Sequence, residues 1–142
     1  MISIQEIAHK INIQPHLLHN NLEHILRYAI HERLHEKIMN GSYIIDILSF
    51  KHKKSGVINN DGSVSFNTLV TCQTCSPEIG KIYKLKITHI NKMGIMHKFE
   101  KVTIFIPAHN MITCDPEIGN WVDVHILGKR IEENMVCVGK EV

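Results

Sequence analysis

Only one stretch of this chain carries a sustained helical period, and after Asn40-Gly41 the pattern becomes that of strands; this single change of period constrains the fold most. Leu22, Ile25, Leu26, Ala29, Ile30, Leu34 and Ile38 recur at i, i+3, i+4 and i+7 and form one apolar stripe. Asn20 or Asn21 stands where a cap is needed, its side chain able to accept a backbone N–H at the helix start. Asn40-Gly41 is expected to end the helix, because glycine tolerates the left-handed conformation just past a last turn. Upstream, Ile4, Ile7, Ile11 and Ile13 fit either an edge strand or a short helix, and Pro15 breaks the pattern.

Beyond Gly41, residues 43–50 are rich in β-branched and aromatic side chains, and residues 51–54 read as a charged turn. Gly56-Val57-Ile58 is a short strand, Asn59-Asn60-Asp61-Gly62 a strong hairpin turn, and Val64, Phe66, Thr68 and Val70 alternate along a further strand. Together these predict one helix packed on a three-stranded antiparallel sheet, with the N-terminal segment a candidate additional strand. Pro77-Glu78-Ile79-Gly80 then marks a boundary, dividing the chain into residues 1–78 and 79–142. Five strand candidates follow, at 81–90, 94–99, 102–106, 121–131 and 135–139. A polar segment, 107–119, separates the third from the fourth and opens with a short helical turn at Ala108-His109-Asn110-Met111. Five short strands with a helical turn after the third is the order of an OB-type barrel. The expected fold class is therefore α+β: a helix on a small antiparallel sheet, then a five-stranded OB-fold β-barrel.

Composition restricts the function classes. With 142 residues the chain holds one average domain or two very small ones. Its 16 Lys and Arg against 14 Asp and Glu leave a formal charge of +2, too mild for a protein that binds nucleic acid by charge alone. Residues 1–78 hold 7 basic and 7 acidic side chains and residues 79–142 hold 9 and 7, so RNA contact is expected to be weak and to fall in the second half. The 11 histidines are unusual, but many fall on the solvent side of the helix, which reads as compositional drift. The first residues lack the pattern of a secretory signal, and no apolar run approaches the roughly 18 residues of a membrane span. The expected setting is intracellular, with Cys72, Cys75, Cys114 and Cys137 reduced.

A resemblance to known families rests on specific residues. Gly80, Asn91-Lys92-Met93-Gly94, Ile106-Pro107-Ala108-His109 and Val124-His125-Ile126-Leu127-Gly128-Lys129-Arg130 resemble the RNA-binding OB-fold of the ribosomal-protein S-one type. The first half is narrower in what it matches. Gly41-Ser42-Tyr43, residues 44–49, Gly56-Val57-Ile58, Asp61-Gly62, residues 63–70 and Pro77 with Gly80 resemble the tip domain of the stalk subunit of multisubunit DNA-directed RNA polymerases. That family comprises the seventh subunit of eukaryotic RNA polymerase II and its archaeal counterpart. Gly128-Lys129-Arg130-Ile131, Glu132-Glu133-Asn134 and Val138-Gly139 resemble the family's closing hairpin. The short connection between the third and fourth barrel strands is similar to the compact versions in nucleocytoplasmic large DNA viruses. One departure bears on function: Gly94 is followed by Ile95-Met96 where the family has an aromatic that would stack on a base.

The resemblance implies a non-catalytic subunit without a cofactor. Its partners would be the largest polymerase subunits with their clamp, a second stalk subunit, and nascent RNA held weakly by charge. Its location would be the nucleus, or a viral factory and virion. The implied docking residues are Val57, Ile58, Asn59 and Asp61, with Cys72, Cys75 and Pro77 in a loop at the tip. The candidate RNA-binding residues are Lys92, His97, Lys98, Lys101, His109, Lys129 and Arg130, of which Lys129-Arg130 is the leading phosphate contact. Phe99 or Trp121 is the candidate to stack on a base, although Trp121 and Phe105 are expected in the core, as strand aromatics usually are. The alternative is a free-standing OB-fold RNA-binding accessory protein of translation or RNA decay.

Two motifs point elsewhere and are set aside. Cys72-Gln73-Thr74-Cys75 has metal-ligand spacing, but a structural zinc site wants four ligands and no second pair accompanies it. His31-Glu32-Arg33-Leu34-His35 is literally H-E-x-x-H on a helix. In a His-rich helix whose apolar stripe must cover a small sheet, with no third ligand or cleft in view, the match reads as coincidence. No G-x-S-x-G and no Gly-rich phosphate loop is present.

Overall fold

The structure, a computed structural model, describes residues 1–18, 21–52 and 56–142. It is α+β, with one α-helix and two sheets among the described residues. The chain divides into two compact units: Ile2–Met39 with Ile44–Thr74, and Met1 with Asn40–Tyr43 and Cys75–Val142.

The first of these units takes its elements from β1 (Ile2–Ile13), a 3₁₀ turn (Pro15–Leu17), α1 (Leu22–Leu34), β2 (Ile38–Met39), β3 (Ser42–His52), β4 (Val57–Ile58) and β5 (Val64–Cys75). Their sheet runs β1-β5-β3-β2, with β4 beside β5. The undecided N-terminal segment is thus a strand at the sheet's edge. Asn21 caps α1, its Oδ1 accepting the His24 N–H at 3.1 Å; Asn20 lies outside the described residues. Leu26, Ile30 and Leu34 turn the apolar stripe onto Ile7, Ile11, Ile13, Ile44, Phe66, Val70 and Cys72, and together they are the core. The helix stops at Leu34, short of the expected Asn40-Gly41. Glu36 takes φ 58°. Its N–H donates to Ile44 O at 3.1 Å, and Ile44 N–H donates back to Lys37 O at 2.9 Å, so strand pairing claims the backbone a longer helix would need. Asn40 and Gly41, at φ 52° and 78°, are the two left-handed residues of a tight hairpin turn between β2 and β3. Of the expected charged turn at 51–54, Lys51 and His52 belong to β3, and Lys53 and Lys54 lie outside the described residues.

The other unit contains β6 (Ile82–Lys86), β7 (His89–Asn91), β8 (Gly94–Phe99), β9 (Val102–Pro107), a 3₁₀ turn (Ala108–Asn110), β10 (Trp121–Ile131) and β11 (Met135–Glu141). Its sheet runs β6-β10-β11-β9-β8-β7, with β9 and β11 parallel and β10 antiparallel to both β6 and β11. The single strand expected at 81–90 is two, and the break explains the topology. The Ile87 N–H donates to Asn120 O at 2.8 Å, whereas the next N–H, of Thr88, donates to Met96 O at 2.9 Å. One residue apart, the chain hands its hydrogen bonds from the β10 side to the β8 side, so β6 and β7 border the two ends of the same path and the sheet curls. Gly94, at φ 151°, permits the tightest approach in this turn of sheet: a Cβ there would lie 2.1 Å from the Ile106 carbonyl oxygen. Inside, Leu85, Ile95, Ile104, Ile106, Val124, Ile126, Met135 and Cys137 are buried. Strand alternation supplies that face and leaves the other outside.

Candidate nucleic-acid interface

The register of the curled sheet fixes which outward side chains are neighbours. In β9, Val102, Ile104 and Ile106 are buried, so Thr103 and Phe105 point the other way and are half-buried. Met96 opposes Phe105, and Phe105 opposes Val138. In the adjacent row Lys98 opposes Thr103, Thr103 opposes Val136, and Val136 opposes Arg130. The result is an aromatic–aliphatic strip beside a row that ends in a cation at either side. A ring face for a base and cations for phosphate are what single-stranded nucleic acid requires. Phe105 is therefore an outer-face residue rather than the core residue expected.

The predicted basic residues divide into three groups. Lys98 and Arg130 flank this strip and are exposed. Arg130 is paired with Glu132, a solvent-exposed contact of the kind worth little and readily exchanged for phosphate. Lys92, Lys101 and His109 are exposed in turns: the β7–β8 turn, the β8–β9 turn and the 3₁₀ turn after β9. Asn91 shapes the first of these, its Oδ1 accepting the N–H groups of Met93 at 2.8 Å and Gly94 at 3.2 Å. His97 and Lys129 serve the structure instead. His97 Nδ1 lies 2.7 Å from Lys86 O and donates to it. Lys129 Nζ donates to the carbonyls of Gly41 and, at 3.0 Å, Pro77. A β-bulge between Ile126 and Gly128 shifts the register and sets Lys129 opposite buried Cys137. Its ammonium thus faces backbone oxygens. Phe99 is half-buried at the end of β8, on the side of Val102.

The residues expected to dock divide similarly. Val57 and Ile58 are 63% and 77% exposed, large apolar side chains held in water by the short β4. Asn59 and Asp61 build the turn that presents them. Asn59 Nδ2 donates to Ser63 Oγ at 3.0 Å and Ser65 Oγ at 2.8 Å. Asp61 Oδ1 accepts Ser63 Oγ at 2.6 Å and Ser63 N–H at 3.0 Å, and these bonds hold its carboxyl below the usual carboxylate range. Cys72, Cys75 and Pro77 are buried, and both cysteines lie on β5 rather than in a tip loop. Three residues apart on an extended strand, Cys72 and Cys75 project to opposite faces; burial pushes both thiols up, that of Cys75 to about 11. At the end of α1 the His31 ring stacks on that of His35, just past the helix, with centroids 4.3 Å apart, while Glu32 accepts the Tyr28 hydroxyl at 3.0 Å.

Sequence reasoning missed Met96 and Lys140, and it weighed Trp121 as a stacking ring but favoured a place for it in the core. Trp121 was expected inside and is 60% exposed, on the face it shares with Asp123 and His125 and opposite buried Val122 and Val124. The signal was the alternation of β10 itself, which pairs Trp121 with polar residues. No protein-family model and no curated protein matches this chain.

Proposed function

We propose that this protein is the non-catalytic stalk subunit of a DNA-directed RNA polymerase, docking on the polymerase core through β4 and its turn and guiding nascent RNA along an OB-type barrel. The observation that carries the reading is the strand path β6-β10-β11-β9-β8-β7 with parallel β9 and β11. Taking β6 and β7 as the two halves of one bent first strand, we read this path as that of a five-stranded Greek-key barrel with a helical turn after its third strand, the order expected of an OB-fold. That barrel follows a small helix-on-sheet unit, the same tandem that the sequence resemblance implies. Two further observations support the roles. Val57 and Ile58, exposed on the β4–β5 hairpin, are suited to anchor a protein interface. The Met96–Phe105–Val138 strip with Lys98 and Arg130 offers RNA a weak, salt-sensitive surface.

The docking role is tested by purifying tagged protein from its native cells with Val57→Asp and Ile58→Asp combined. These side chains are solvent-exposed, so thermal stability is expected to stay within about 1 kcal/mol of the parent. Recovery of the large polymerase subunits is expected to fall about tenfold or more, because two buried carboxylates would replace apolar anchors. Unchanged recovery of those subunits would remove β4 from the interface. Recovery of ribosomal or RNA-decay proteins by the parent protein, in place of polymerase, would favour a free-standing RNA-binding factor.

A further inference from the structure

Away from the Phe105 strip, the outer face of β6, β10 and β11 carries a second set of aligned side chains. Trp121 opposes Lys86, Asp123 opposes Lys84, and His125 lies between Ile82 on one side and Lys140 on the other. Trp121 and Ile82 are each 60% exposed, and the three lysines are exposed as well. Three ammonium groups against the one carboxylate of Asp123 make the stripe cationic, and an indole stands at its end. Next to Lys86 the backbone at Gly119 is uncrowded: a Cβ on that residue would meet only the Lys86 Cε, at 4.0 Å.

An exposed apolar side chain invites a protein partner as readily as a nucleic acid, and here charge and geometry decide. Successive outward residues on a strand are about 6.8 Å apart, two strand rises, so Lys84 and Lys86 repeat along the chain at about the length of one extended nucleotide. Stacking of a base on an indole is tolerant of sequence, and lysines beside it hold the phosphates that follow. We infer that the Trp121–Lys86–Lys84 stripe is a second binding site for single-stranded RNA, with Trp121 stacking on a base and Lys86, Lys84 and Lys140 tracking the backbone. Trp121 then supplies the stacking ring that Ile95-Met96 does not supply after Gly94. The inference deepens the RNA-guiding role proposed above and rests on it, but it concerns a different surface from the Phe105 strip.

The chain contains a single tryptophan, so its intrinsic fluorescence reports on this site alone. The full-length protein is titrated with a labelled, short, single-stranded oligouridylate, and both the oligonucleotide's anisotropy and the protein's tryptophan emission are followed. Saturable quenching that tracks the anisotropy is expected. Trp121→Ala should weaken binding about tenfold or more, and Trp121→Phe should restore most of it, since a ring face is retained. Lys86→Ala should reduce the slope of log affinity against log salt by about 0.7, the release expected for one single-strand phosphate contact. Anisotropic binding with unchanged emission and no loss in Trp121→Ala would overturn the inference and assign RNA to the Phe105 strip. Absence of any oligonucleotide binding would overturn it too; if the large polymerase subunits still co-purify, the stalk reading survives that result and the stripe belongs to protein contact.

Discussion

Two side chains carry charge into places where strand alternation alone would put apolar groups. Lys129 Nζ donates to Gly41 O and Pro77 O. Hydrogen bonds from a charged donor are worth about 1.5–3 kcal/mol, so Lys129→Met should lower the melting temperature by roughly 3 °C per kcal/mol lost. A lysine held for phosphate would instead leave melting unchanged and weaken RNA binding, and measuring both separates the two roles. Glu141 is 7% exposed, and its carboxylate accepts the N–H groups of Ile112 at 2.7 Å and Thr113 at 3.0 Å together with the Thr113 hydroxyl. Burial pushes its pKa up, but the three donors outweigh that and hold it below the ordinary 4.5. A depressed carboxylate stabilises the fold above its unfolded pKa, and the contribution is lost as pH falls through the folded value. Stability should therefore drop as pH is taken from neutral to below 4.5. Glu141→Gln should flatten that drop and cost about 1–3 kcal/mol at neutral pH. Identical acid profiles for parent and variant would remove Glu141 from the account.

Among the elements, the turn into β8 is the least tolerant of change. At Gly94 any side chain meets the Ile106 backbone carbonyl, and φ 151° is itself unfavourable for other residues. Gly94→Ala should cost about 1–3 kcal/mol or more by chemical denaturation, as overpacking against backbone does; a variant as stable as the parent would mean that β8 and β9 are not held this close. The elements also show what the amino-acid pattern discloses. Strands with clean alternation, such as β9 with buried Val102, Ile104 and Ile106, are legible because one face must be apolar. Asn40-Gly41 was ambiguous by chemistry: the same pair ends helices and makes two-residue hairpins, and only the pairing of Ile44 with Glu36 and Lys37 chooses the hairpin. Trp121 was misplaced because its residue type outweighed its position, although Val122 and Val124 already claimed the inner face. The inward turn of Lys129 depends on a bulge next to Leu127, a register shift with no mark in local composition.

For the whole molecule, the α+β class and most strand positions followed from period and turn residues, because those record burial. The candidate site followed less well. Cationic residues in turns, such as Lys92 and Lys101, are readable as exposed, but the rows that join Lys98 to Arg130 or Trp121 to Lys86 exist only once the sheet curls and sets its register. Partner choice is further still from local physics, since it depends on a surface of another protein. The claim that joins these observations is that the chain works as part of a polymerase. Its most direct measurement is affinity purification of the tagged parent protein from native cells, with co-purifying proteins quantified by mass spectrometry. The account predicts the two largest polymerase subunits at near-equal molar amounts with the tagged chain, retained through a salt wash that removes RNA. Recovery of the chain with RNA or ribosomal proteins, and without those subunits, would contradict it.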